Sequence, residues 1–129
     1  MELGTLTIEF GTLTLRTDGI LHVVFDFDGE ATKEAAVEYL EARAELGVSP
    51  PPPVLLEIVQ IPYVERSIRS FFMDGLPTPP CRAVVASDDA FLTMYRTFQL
   101  VEPTAVPTEV FPTVEAAVAW IHEQTSLLA

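Results

Sequence analysis

A chain of 129 residues with a single cysteine has the length of one domain that hides about two-thirds of its unfolded surface in one core. It has no intramolecular disulfide, which fits a reducing compartment. Seven Lys and Arg against nineteen Asp and Glu, a net charge of -12, exclude the basic surface that nucleic acid requires and oppose an anionic membrane surface. No apolar run reaches the roughly 18 residues of a membrane span, and no charge-flanked apolar segment opens the chain, so a cytoplasmic protein is expected.

From Thr5 to Arg16 apolar and polar residues alternate, with Leu6, Ile8 and Phe10 in one phase and Leu13 and Leu15 in the other. The phase slips at Gly11, which predicts a single strand carrying a bulge there; a turn between two short strands is the alternative. Asp18-Gly19 then predicts a hairpin into a second, antiparallel strand from Ile20 to Phe27. His22 lies mid-strand with no second His or Cys at ligand spacing, so it reads as a paired or partly exposed strand residue, not a metal ligand. Asp26, Asp28 and Glu30 lack the later oxygen ligands of a calcium loop and read as loop acids before a helix.

That helix is expected from Thr32 to Leu46, stopped by Gly47, with Ala36, Val37, Leu40 and Ala44 buried and Glu34, Glu38, Glu41 and Glu45 aligned on a solvated face. Pro50 to Pro53 form a stiff connector into Val54-Leu55-Leu56-Glu57-Ile58-Val59. A short, nearly unbroken apolar run bracketed by proline predicts a strand buried on both faces in the middle of a parallel sheet. Val64, Ile68, Phe71 and Phe72 then fall at helical spacing, with Glu65 and Arg69 as an exposed pair and Arg66 and Ser67 in the first turn.

Arg82 to Ala86 predicts another buried strand, and Ser87-Asp88-Asp89 a cap for a helix carrying Phe91, Met94, Tyr95 and Phe98. A last short strand, Thr108 to Phe111, leads through Pro112 and the N-cap Thr113 to a helix burying Val114, Ala117, Val118 and Ile121, with Trp120 at the edge of that stripe. The predicted order is β-β-α-β-α-β-α-β-α: one α/β domain over residues 1–129, with about five strands, mostly parallel, and four helices.

This order, with Asp18-Gly19-Ile20-Leu21, the segment Val54 to Phe72 and the closing run Val110 to Ile121, resembles the STAS fold of bacterial anti-sigma-factor antagonists. It looks more closely like the uncharacterised SpoIIAA-like proteins of the STAS/SEC14 type. The resemblance spans essentially the whole chain. In the antagonists an Asp-Ser-Ser/Thr-Gly turn follows the strand, and its second hydroxyl residue is phosphorylated by a partner kinase. Laid on this chain, the pattern puts Glu57 on the strand acid, Glu65 on the aspartate and Ser67 on the phosphorylated serine, while Arg66 replaces the first serine and Ile68 the glycine.

Three expectations follow. The first is a non-catalytic regulatory module that binds a protein partner through Tyr63, Glu65, Arg66, Ser67 and Arg69, at the carboxyl end of the central strand, where open α/β sheets present their sites. The second, implied by the SEC14 branch and by the number of phenylalanines, is a carrier of a small apolar or lipid-like ligand. The third and weakest is an enzyme: no histidine accompanies a nucleophile, and there is no glycine-rich phosphate loop and no metal set. No cofactor is expected. The Thr- and Leu-rich first strand, at a sheet edge, also suggests a homodimer.

Overall fold

The computed structural model describes residues 2–26, 29–30, 32–46, 51–60, 79–86 and 106–128. These form a six-stranded sheet in the order of the chain: β1 (Glu2–Ile8), β2 (Gly11–Arg16), β3 (Leu21–Asp26), β4 (Val54–Gln60), β5 (Arg82–Ala86) and β6 (Thr108–Phe111). The first three are antiparallel neighbours, and β3 to β6 run parallel. Two helices are described, α1 (Lys33–Glu45) between β3 and β4 and α2 (Val114–Leu128) after β6. The expected helices around 64–72 and 91–98 lie outside the described residues.

The segment expected to be one bulged strand is two strands, and the sheet has six members in place of five. Ile8 pairs with Gly11 across a two-residue turn, Glu9-Phe10. Pairing Leu6 with Leu13 and Thr7 with Thr12 sets even-numbered side chains of β1 on the same face as odd-numbered ones of β2. The phase slip is therefore the signature of the turn. Gly11 has φ 146°, and a Cβ there would collide with the Val24 carbonyl oxygen, so only glycine fits between the first and third strands.

The second turn follows the expected Asp-Gly signal, with three loop residues. Arg16 N–H donates to the Ile20 carbonyl at 2.9 Å and Gly19 N–H to the Arg16 carbonyl at 3.0 Å. Gly19 has φ 88°, while no described non-glycine residue has positive φ. Asp18 is thus outside the left-handed region that a two-residue mirror-image turn would demand, and glycine takes that conformation in third place.

Alternation along the strands creates two cores. On one face Phe10, Leu13, Leu21, Val23 and Val54 meet Ala35, Tyr39 and Ala42 of α1, with Leu6, Ile8, Phe25 and Leu56 around them. The Phe25 and Tyr39 rings stack at 5.6 Å between centroids. On the other face Ile20, Leu55, Cys81, Ala83 and Val85 meet Ala117 and Ile121 of α2, flanked by Phe111, Val114, Val118 and Trp120. Burying Leu13 or Ile121, both at 0 % exposure, stabilises by about 2–3 kcal/mol each.

The α2 stripe lies on the expected face, with Ala117 and Ile121 buried and Val114 and Val118 half-buried, and Thr113 caps it, its Oγ1 accepting from Ala116 N–H at 3.2 Å. The buried face of α1 is rotated from expectation. Ala35, Ala36, Tyr39 and Ala42 are buried, whereas Val37 and Leu40 are half-buried and Ala44 is exposed. A tyrosine was the missing signal: its ring fills the core while Arg43, one turn on, hydrogen-bonds the phenol. Thr32 caps this helix, accepting from Ala35 N–H at 3.1 Å.

β4 lies between parallel neighbours, as its apolar run predicts, but is buried on both faces only at its start. Val54 and Leu55 are 2 % and 0 % exposed, while Val59 is 57 % exposed.

Candidate functional site

β4 ends at Gln60, and Tyr63, Glu65, Arg66, Ser67 and Arg69 follow it in the sequence. Those five residues lie outside the described residues. Val59, four positions before Tyr63, is the exposed large hydrophobic among the described residues. It is the extra residue where the pairing of β4 with β3 slips, between Ile58 and Gln60; before that slip Leu55 and Glu57 share a strand face, because side chains two apart point the same way.

On that face the apolar core under α2 gives way, toward β1, to a strip of polar side chains. Cross-strand pairing places Thr14 beside Thr5 on one side and beside His22 on the other. The Thr5 and Thr14 hydroxyl oxygens are 3.1 Å apart. His22 Nε2–H donates to Glu57 Oε1 at 2.9 Å, with the two side chains 20 % and 32 % exposed. The expectation of a paired strand histidine is met. Its partner, 35 residues away in sequence, is the glutamate that interrupts the apolar run of β4.

A second polar group sits at the turn between β2 and β3. Asp18 accepts from Ile20 N–H at 3.3 Å, and its other carboxylate oxygen is 2.9 Å from Arg16 Nη2 and 3.3 Å from His122 Nε2. The aspartate shapes the turn and ties it to α2. Sequence reading valued Asp18 for its turn propensity alone and missed His122, whose helical position gave no sign of a partner more than a hundred residues earlier.

The chemistry open to these groups is limited by how they satisfy one another. Among the described residues no set of three His, Cys, Asp or Glu side chains is placed to hold a metal ion. No buried side-chain nitrogen or oxygen among them is left without a hydrogen bond. Burial pushes the Cys81 thiol above its ordinary pKa, which keeps it protonated and poorly nucleophilic. Burial likewise raises the Tyr39 phenol, although the charge and hydrogen bond of Arg43 and the charge of Arg82 pull it back. No helix among the described residues is long and apolar enough to cross a membrane.

Comparison with solved structures gives a likeness to the crystal structure of a protein with unknown function from Arthrobacter sp. FB24. The two are 18 % identical, covering 85 % of this chain and 97 % of the other, with a TM-score of 0.32. No curated protein matches the chain. A family model covers residues 13–125, from the second strand to the last helix, and so takes in the His22–Glu57 pair, the Asp18 group and most of both cores. The chain belongs to the family described as a domain of unknown function, DUF7793.

Proposed function

We propose that the protein is a non-catalytic regulatory module of the STAS/SpoIIAA-like type, with four helices on its sheet, that engages a protein partner in the cytoplasm. The contact surface is the carboxyl end of β4 together with Tyr63, Glu65, Arg66, Ser67 and Arg69. Ser67 is its phosphorylation site, where a phosphate would add nearly two negative charges to an acidic surface and weaken the contact.

The supporting observation is Val59. A β-branched side chain 57 % exposed at the carboxyl end of a parallel strand is an apolar contact at the edge where open α/β sheets present their sites. It leads directly into the segment that carries the proposed polar contacts. Nearby, His22 and Glu57 bind each other, which favours a surface that fits a partner over one that turns over a substrate.

Site-specific photo-crosslinking tests this reading. A photo-reactive residue at position 59 should capture a protein partner from the native cell, and one at Glu34, on the exposed side of α1, should not capture it. Ser67→Asp and Arg66→Glu should abolish the adduct at position 59. An adduct of equal yield in all these variants rejects the proposed surface. Lipid extracted from the purified protein in place of a protein adduct points to the carrier.

A further inference from the structure

One row of paired residues, Gly4, Leu15, Leu21, Val54, Arg82 and Thr108, crosses the sheet at the amino end of its parallel strands. Neighbours in such a row point to the same face. Val54 packs under α1 with Tyr39 and Ala42, so Arg82 beside it points to the α1 side. Alternation along β5 agrees, because Ala83 and Val85 pack under α2.

Helix α1 ends over the same row. A Cβ on Gly4 would come within 3.2 Å of the side chain of Leu46, the C-cap residue. Glu38 marks the β1 side of the helix, since its Oε1 accepts from Glu9 N–H at 2.7 Å just past β1. At about 3.6 residues per turn, Arg43 in the last turn stands on the other flank, the one turned toward β4 and β5. The two arginines thus reach one place from different elements. Arg43 hydrogen-bonds the phenol of the buried Tyr39, and the charge of Arg82 acts on the same group.

Nineteen acids accompany seven bases in this chain, yet these two bases stand beside each other and not beside acids. Arg16 has Asp18 at 2.9 Å, whereas neither Arg43 nor Arg82 has a carboxylate at ion-pair distance among the described residues. The glutamates of α1 at positions 38, 41 and 45 are exposed, on the flank away from Arg43, and Arg43 and Arg82 are themselves half-buried. Taking a charge partly out of water costs free energy that an anionic partner normally offsets, and two neighbouring guanidinium groups repel each other as well. An anion held between them offsets both costs.

We propose that Arg43 and Arg82 form a site for a phosphate group, free or on a small molecule, between the last turn of α1 and the start of β5. A carboxylate fills one planar guanidinium fork, whereas a phosphate, with more oxygens and nearly two charges, engages two. Tyr39 is a positioning residue: its phenol oxygen takes one of the five N–H groups of Arg43 and leaves the others for the ligand. The net charge of -12 repels anions at a distance, so recognition rests on direct contact, and a polyanion such as nucleic acid is excluded. The site lies at the opposite end of β4 from Val59 and does not rest on the surface proposed there.

The probe is inorganic phosphate, titrated at neutral pH into the full-length ¹⁵N-labelled protein with sodium chloride holding the ionic strength constant. The side-chain Nε–H resonances of Arg43 and Arg82 should shift together and saturate in the millimolar range or below. Arg43→Gln and Arg82→Gln should each weaken binding roughly tenfold, and Arg43→Lys and Arg82→Lys, which keep the charge and lose the fork, several-fold. The amide spectrum without phosphate checks that each variant is folded; where a Gln variant is not, the Lys variant at that position carries the test. Tyr39→Phe keeps both charges and should weaken binding a few-fold while the Arg82 shift persists. Glycerol phosphate binding more tightly than inorganic phosphate identifies an ester as the ligand, and the reverse identifies the free ion. Acetate binding as tightly as phosphate, shifts centred on the first turns of α1 and α2, affinity unchanged by both Gln substitutions, or no shift at tens of millimolar phosphate would each overturn the proposal.

Discussion

The two faces of the sheet are made by the same strands yet differ in how they are filled. Toward α1 the core uses large side chains, with Phe10, Phe25 and Tyr39 set among Leu13, Leu21 and Val23. Toward α2 it uses small ones, Cys81, Ala83 and Ala117 among Ile20, Leu55 and Ile121. It ends partway across, giving way to Thr5, Thr14, His22 and Glu57. The residue pattern of each strand records which face has a cover. In β2 and β3 the fully buried residues, Leu13, Leu21 and Val23, all lie on the α1 side, whereas in β5 four consecutive residues are buried.

The strongest way to break this comparison is to remove its centres. Leu13→Ala and Ile121→Ala each delete a fully buried side chain and should cost about 2–5 kcal/mol. Leu13 should give the higher value, because rigid rings around it cannot collapse into the cavity as small neighbours of Ile121 can. Equal losses in urea denaturation would mean that the two cores relax alike. Thr12→Ala, on the half-buried polar face, should stay within about 0.5 kcal/mol.

Next in size is Gly11→Ala, which asks whether the turn joining β1 to β2 tolerates any side chain. Positive φ and the collision with the Val24 carbonyl should together cost about 2–3 kcal/mol. The loss should be accompanied by amide-exchange increases confined to β1 and the start of β2. A neutral substitution would show that the third strand can shift away, and that the glycine is not what closes the hairpin.

The sequence made most of this architecture legible where a residue could do only one job. Proline bracketing and β-branched runs located β4, β5 and β6, and the cap Thr113 located the start of α2. It misled where one signal had two causes. The slip at Gly11 fits a bulge or a two-residue turn, and only the pairing of Ile8 with Gly11 separates them. It also misled on α1, where hydrophobicity favours Val37 and Leu40 over Tyr39, although the phenol is buried through a hydrogen bond one turn away. The polar groups were half legible: His22 and Glu57 stand out singly against apolar strands, but their pairing depends on strand register.

Tyr39 adds a pH test of the α1 side. Burial raises its pKa above the ordinary value of 10.0, so the folded state holds the phenol proton more tightly than the unfolded chain does. That contribution is complete below pH 10 and is lost as pH climbs through the unfolded and then the folded value. Stability should fall above about pH 10 with a slope of up to about 1.4 kcal/mol per pH unit from this residue. Tyr39→Phe should remove that component and, at pH 7, cost about 1 kcal/mol for the lost hydrogen bond to Arg43. An unaltered alkaline slope in the variant would place the titrating phenol elsewhere.

The smallest effect concerns the polar strip. His22 and Glu57 are each partly open to water, so their hydrogen bond competes with solvent and should contribute roughly 0.5–1.5 kcal/mol. A double-mutant cycle with His22→Ala and Glu57→Ala isolates that coupling from the loss of each side chain's own packing. Added salt should shrink it little if the bond itself dominates, and strongly if long-range charge does. Zero coupling would make the two residues independent occupants of a solvated face, and the boundary of the α2-side core would then be set by the reach of Ala117 and Ile121 alone.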